Sequence, residues 1–309
     1  MCVLLFPTLA RAAIERHLEQ AGFAPVPADG PVPSPALLAQ ARMLVLPAHA
    51  YGGALAQAIR EHGTALRLIQ LVSSGYEELT RWGVPPGVAV ANAGASWAPS
   101  VAEHTLAMML GLARCIPALA AGHPGRSMRS LEGSGLLIVG YGQIGQEVAR
   151  RAAAFGMVVT AVTRTVPRQP EEAVRIEPMA RLPALVREAD WIVISVPATP
   201  STDRLFGPQL LGACKPGGVI VNVARGSVVD TEALTQALTS GRLGGAALDV
   251  TEPQPLPPGH PLRAMDNVIL SPHAAIAGAQ AGQERVAQVV LGNLQRLLRD
   301  QPPLHAVVP

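Results

Sequence analysis

Leu136-Leu137-Ile138-Val139-Gly140-Tyr141-Gly142-Gln143-Ile144-Gly145 is the stretch on which the fold turns. Four apolar residues read as a buried strand, G-x-G-x-x-G follows at once, and 146–155 continues with helical character. In that setting Gly140 permits the tight turn, Gly142 lets a pyrophosphate approach the backbone, and Gly145 lets helix and strand pack closely. The helix N-terminus adds N–H groups and positive dipole. Tyr141, Gln143 and Ile144 complete the loop. The stretch predicts a dinucleotide cofactor at the first turn of a six-stranded nucleotide-binding fold.

The end of the next strand selects the cofactor. An NAD site usually carries Asp or Glu there to accept hydrogen bonds from the ribose 2′-OH. This strand ends Val162-Thr163-Arg164-Thr165, with Arg168 close behind. A carboxylate would repel a phosphate of roughly −1.5 to −2 charges, whereas guanidinium and hydroxyl groups attract it. NADP is therefore expected, with NAD as second choice. The bland alternative is an Arg164 that is solvated or stacks on adenine.

Outward from the motif, strands are read near 136–139, 158–162, 191–196, 219–223, 245–249 and 268–271. Before it, strands at 2–7, 23–26, 43–47, 66–72 and 88–91 alternate with helices at 9–21, 36–41 and 53–62. Continuous apolar strands alternating with helices imply parallel sheets covered on both faces, an α/β class. From Ser96 to about Ala121 runs a helix almost without a polar face after Glu103 and His104, which must be buried between domains or against a second subunit. A last helix over 278–299 carries Val286, Val289, Val290, Leu294 and Leu297 at helical spacing and is expected to return to domain one.

Composition narrows the partners. The 309 residues include 24 Lys plus Arg against 22 Asp plus Glu, with 49% hydrophobic and 15% charged, so disorder is excluded as the main theme. At about 150 residues per domain the length fits two. Lys215 is the single lysine, net charge is +2 and no basic block occurs, which argues against nucleic acid and anionic membrane. Three Trp, three Tyr and four Phe are too scattered for base stacking. Cys2, Cys115 and Cys214 form neither a disulfide framework nor a zinc site, and no apolar run reaches about 18 residues. A cytoplasmic protein without metal is expected. Lys215 precedes Pro216, so no phosphate-loop motif forms, and H-E-x-x-H is absent. Gly94-Ala95-Ser96-Trp97-Ala98 falls one glycine short of a nucleophile elbow.

Three further segments carry a resemblance: Val221-Asn222-Val223-Ala224-Arg225-Gly226-Ser227-Val228-Val229-Asp230, Ala247-Leu248-Asp249-Val250 and Ser271-Pro272-His273-Ala274-Ala275. With Val101-Ala102-Glu103-His104 and Val196-Pro197-Ala198-Thr199-Pro200, they are similar to the D-isomer-specific 2-hydroxyacid dehydrogenase family across essentially the whole chain. The resemblance implies two doubly wound parallel-sheet domains. A Rossmann nucleotide domain, 96–276, is inserted in a flavodoxin-like catalytic domain made of 1–95 and the returning helix 277–309. It also implies a homodimer through the 96–121 region.

By the same resemblance, Arg225 grips the carboxylate of a small 2-oxo acid and polarises its carbonyl, a task that suits a planar fork of donors. His273 is the acid/base for a glyoxylate- or hydroxypyruvate-type reductase. Asp249 bonds the nicotinamide carboxamide, with further cofactor contacts from Val196, Pro197, Thr202, Val223 and Ala224. The turn Ser73-Ser74-Gly75-Tyr76 offers N–H groups to the substrate carboxylate. Tyr76 and Trp97 are equally readable as core, and His49 and Tyr51 are candidates for the far end of the substrate.

One position departs from the pattern. Most of the family carries Glu five residues after the aspartate, paired with the catalytic His; here that residue is Gln254. An amide can hold an imidazole but cannot stabilise imidazolium as a carboxylate does. Reduction, which needs protonated His273, is then expected to fade earlier as pH rises. Formate dehydrogenases carry a similar Pro-Gln-Pro, which gives an alternative activity, and Glu252 swinging in is an alternative partner for His273. A nucleotide-sensing, corepressor-like protein is the alternative outside enzymology.

Overall fold

The computed structural model describes residues 2–120, 122, 128–165 and 174–309. Arg168 lies outside the described residues. The chain divides into two compact units, one of 1–97 with 277–309 and the other of 98–276.

In the first unit, β1 (Cys2–Leu5), β2 (Val26–Pro27), β3 (Ala41–Leu46), β4 (Leu68–Leu71) and β5 (Ala89–Ala91) are parallel in the order 2-1-3-4-5, the flavodoxin-like order. β4 is buried at every position, which is why it reads as a largely apolar run, broken only by buried Gln70, rather than as an alternation. The helix Gln280–Leu298 buries Val286, Ala287, Val290, Leu294 and Leu297 and packs on the helix Arg11–Gln20. Its buried positions recur every three to four residues, the stripe of a surface helix.

The second unit holds β6 (Gly135–Val139), β7 (Val158–Thr163), β8 (Val174–Pro178), β9 (Trp191–Ile194), β10 (Val219–Asn222), β11 (Gly245–Leu248) and β12 (Val268–Leu270). Their order is 12-11-10-9-6-7-8, all parallel. The direction of winding reverses between β6 and β9, and in open α/β sheets ligands bind outside the carboxyl ends of the strands at that switch point.

Several elements differ from the sequence reading. The second sheet has seven strands rather than six. The extra one, β8, is an edge strand with only Val174 buried and Arg175 and Glu177 paired with each other, so no apolar run announces it. In the first unit a two-residue strand, β13 (Ala306–Val307), pairs antiparallel with β5 and departs from the all-parallel expectation. The long helix is Ala98–Ala113, followed by a short helix Ile116–Ala120; between them Cys115 has φ +54°, which ends the first helix. Much of its surface is buried inside its own unit, against the helix Gln143–Ala154 and β10 to β12. No helix among the described residues is long and apolar enough to cross a membrane.

Candidate active site

The glycine loop joins β6 to the helix Gln143–Ala154. Gly140 has φ +102°, and a Cβ there would lie 2.9 Å from the Ser195 carbonyl oxygen. The Ser195 hydroxyl in turn donates to the Gly140 carbonyl at 2.9 Å, so the end of β9 supports the turn. A Cβ on Gly145 would strike the Gly140 carbonyl oxygen, which is the close packing expected of the third glycine.

Gly142 is different: its φ of −80° suits any residue and no protein atom lies within 4 Å of where a Cβ would stand. Folding alone does not require glycine there. Gly142 is itself the N-cap of the helix Gln143–Ala154, and no side-chain hydrogen bond caps that end. Unshielded N–H groups beside a bare glycine are a cradle for a phosphate group, so the loop fits a dinucleotide.

Around this loop the other cofactor candidates follow the carboxyl ends of neighbouring strands. Thr163 ends β7 and Arg164 and Thr165 follow it, both exposed, with no ion pair to Arg164 among the described residues. Val196 is buried after β9. Thr202 locks the next loop, its hydroxyl donating to the Pro197 carbonyl at 2.7 Å and accepting from the Thr199 N–H at 2.8 Å. Val223 and Ala224 are buried after β10.

Buried Asn222 shapes the turn that presents Arg225. Its Oδ1 accepts from the Ala224 N–H at 3.0 Å and its Nδ2 donates to the Arg225 carbonyl at 2.9 Å. A Cβ on Gly226 would collide with the Thr251 carbonyl, so the residue after Arg225 must be glycine for the loops after β10 and β11 to approach. The Arg225 guanidinium donates to the Ala224 carbonyl at 2.9 Å.

Asp249, 2% exposed, is the hub of the far side. Its Oδ1 accepts from the Ser271 hydroxyl at 2.7 Å and the Ala274 N–H at 2.8 Å, and lies 3.3 Å from Nε2 of His104. Its carbonyl accepts from the His273 N–H at 2.9 Å. Burial pushes the Asp249 carboxyl up, but His104, Ser271 and the Ala274 N–H together hold it below the ordinary carboxylate range. The ionised group thus grips the loop on either side of His273, which is exposed with φ +57°.

Nε2 of Gln254 lies 3.3 Å from Nδ1 of His273. Among the described residues no ion pair joins Glu252 to His273, and the backbone carbonyl of Glu252 accepts from the Thr231 hydroxyl at 2.7 Å. The amide of Gln254, rather than the carboxylate of Glu252, holds the ring.

In the first unit, the turn after β4 holds Ser73, Ser74 and Gly75. The backbone N–H groups of Ser73, Ser74, Gly75 and Tyr76 donate to no acceptor among the described residues. Two weaker candidates resolve as structure. Tyr51 is fully buried with its hydroxyl donating to the Gly83 carbonyl at 2.7 Å, and Trp97 is buried with its indole N–H donating to the Val72 carbonyl at 2.7 Å. Tyr76 packs partly against the core, and His49 is exposed.

Sequence reasoning missed the roles of His104, Asn222 and Ser271. All three lie in segments that carry the family resemblance, and His104 also stood out as a polar residue on an otherwise apolar helix, but neither signal gave the contacts they make.

Residues 106–275 match the family described as D-isomer specific 2-hydroxyacid dehydrogenase, NAD binding domain. A D-3-phosphoglycerate dehydrogenase of Methanocaldococcus jannaschii is 36% identical over 222 residues, 70% of this chain but 42% of that protein, so the chain spans less than half of that relative's length. A glyoxylate reductase of Pyrococcus furiosus is 34% identical over 266 residues, 80% of this chain and 77% of that protein. A crystal structure of a D-isomer specific 2-hydroxyacid dehydrogenase from Xanthobacter autotrophicus, in complex with NADPH and MES, is similar with TM-score 0.83 and 26% identity, covering 99% of this chain and 98% of that one.

Proposed function

Because the chain belongs to the D-isomer specific 2-hydroxyacid dehydrogenases, a family of NAD(P)-dependent oxidoreductases, we propose that it reduces a small 2-oxo acid, of the glyoxylate or hydroxypyruvate kind, with NADP as its coenzyme. The observation that carries this reading is the gathering, at one edge of one sheet, of the bare glycine loop, the Arg225 turn and an imidazole braced by Asp249 and Gln254.

Gly140 to Gly145 would hold the pyrophosphate, Thr163, Arg164 and Thr165 the 2′-phosphate, and Val196, Pro197, Thr202, Val223, Ala224 and Asp249 the nicotinamide half. Bound there, NADPH supplies the hydride. Arg225 takes the substrate carboxylate and draws electron density from the keto oxygen; a planar guanidinium meets two coplanar acceptors at once. The N–H groups of the Ser73-Ser74-Gly75 turn would meet a substrate carboxylate. His273 holds the proton that passes to the carbonyl oxygen as the alcohol forms. Gln254 orients the ring and can turn either end of its amide to Nδ1, donating to the neutral ring or accepting from the charged one. Exposed Ile116 and Leu119 support a homodimer through the 96–121 region.

A panel of glyoxylate, hydroxypyruvate, larger 2-oxo acids and formate, each run with both coenzymes, tests the reading. NADPH-dependent reduction of the short 2-oxo acids is expected. The amide at His273 favours a second reading, formate oxidation, which releases no hydroxyl proton. Formate turnover without 2-oxo acid reduction would establish it instead.

A further inference from the structure

The turn assigned above to the substrate carboxylate is braced by residues that have no part in the reaction. Nδ2 of Asn92 donates to the Ser74 carbonyl at 2.8 Å, and its Oδ1 accepts from the Gly94 N–H at 2.9 Å. The Ser74 hydroxyl closes the loop by donating to the Gly94 carbonyl at 3.2 Å. The Ser74 carbonyl and the Gly75 N–H belong to one planar trans peptide and point in opposite directions. Holding the carbonyl therefore aims the N–H.

Asn92 is itself set by the segment that enters β13. The Asn92 N–H donates to the His305 carbonyl at 3.1 Å, in line with the pairing of Ala306 to Ala91. The imidazole of His305 covers Gly94, where φ is +55° and a Cβ would stand 2.6 Å from the ring. From beneath, Nε2 of Gln70 donates to the Asn92 carbonyl at 3.1 Å, and Nδ2 of Asn293 donates to Oε1 of Gln70 at 2.6 Å. Oδ1 of Asn293 accepts from the Leu304 N–H at 2.6 Å. Gln70 and Asn293 are wholly buried, so their amides have no water to fall back on and the network settles into one arrangement.

We propose that Asn92 and His305 are positioning residues for the 2-oxo acid. The segment 304–307 sets Asn92, and Asn92 sets the direction of the Gly75 N–H that meets the substrate carboxylate. This rests on the reading of the turn as the carboxylate site.

The test compares the unmodified protein with Asn92→Ala, Asn92→Asp and His305→Ala, using glyoxylate as substrate and oxamate as a non-reacting competitor. Asn92→Ala should raise the KM for glyoxylate about tenfold, the loss of one well-aimed hydrogen bond to an anion. The Ki of oxamate should rise in parallel, with the Kd for NADPH unchanged by fluorescence titration and kcat altered far less than KM. Asn92→Asp keeps the bond to Gly94 but loses the donor to Ser74, so it should raise KM at least as much and decides the matter if the alanine variant does not fold. His305→Ala should give a smaller rise of the same kind. Variants that lower Tm yet leave KM and Ki unchanged overturn the proposal while the functional reading stands. An unmodified protein that turns over no 2-oxo acid overturns that reading and this inference with it.

Discussion

Nε2 of Gln254 sits 3.3 Å from Nδ1 of His273, so a neutral amide holds the ring where the family resemblance leads one to expect a carboxylate. A carboxylate accepts only from Nδ1–H and favours the charged ring; an amide serves either state and favours neither by charge. Gln254→Glu should extend 2-oxo acid reduction to higher pH, because a carboxylate favours a charged ring partner and an amide does not. The kcat/KM against pH profile checks this; an unchanged alkaline limb would remove Gln254 from the site.

The glycine loop separates folding from binding. Gly142→Ala meets no protein atom within 4 Å, so Tm should hold within about 2 °C. NADPH affinity should nonetheless fall by at least about tenfold, because the methyl group occupies the approach of the pyrophosphate. Gly145→Ala strikes the Gly140 carbonyl and should lower Tm outright. Thermal melts and coenzyme titrations on both variants distinguish the two effects; equal behaviour would deny a phosphate at Gly142.

Arg164 stands exposed after β7. Arg164→Ala should weaken NADPH by about 10- to 100-fold and NADH by less than about twofold, since only the former carries the extra phosphate. Equal loss for both coenzymes would refute the phosphate assignment.

Asp190 ties the core of the second unit by accepting from Lys215 Nζ at 2.6 Å and from the Gly135 N–H at 2.8 Å. Burial raises its carboxyl, but these donors, with the Lys215 charge, hold it below the ordinary range. A depressed folded value stabilises the protein above the unfolded one, and that contribution is lost as pH falls through the folded value. Asp190→Asn should cost about 1 kcal/mol at pH 7, a modest figure because the pair is partly solvated. The difference between variant and parent should shrink as pH falls through the folded value. Chemical denaturation at several pH values measures it, and a gap that persists in acid would mean the charge is irrelevant.

Much of the architecture was legible because parallel strands covered on both faces must be apolar throughout. β6, β9 and β10 are such runs, and the glycine loop directly after β6 gave the sheet its orientation. β8 and β13 escaped because an edge strand with Arg175 and Glu177, and a strand of two residues, carry no periodic signal. The contact of His104 with Asp249 joins a helix to a strand end 145 residues away, and no spacing rule reaches that far. Tyr51 misled for a related reason: a polar tip marks a candidate, but only the Gly83 carbonyl shows that the tip is already engaged.

The most direct measurement follows NADPH absorbance with glyoxylate and hydroxypyruvate from pH 5 to 8, for the unmodified protein and for Arg225→Ala and His273→Ala. Steady oxidation by the first is expected. Each variant should lose at least about 100-fold in kcat/KM, with the Kd for NADPH retained. A protein that binds NADPH yet oxidises none of it with any 2-oxo acid, or variants that match the parent, would contradict the proposed reduction.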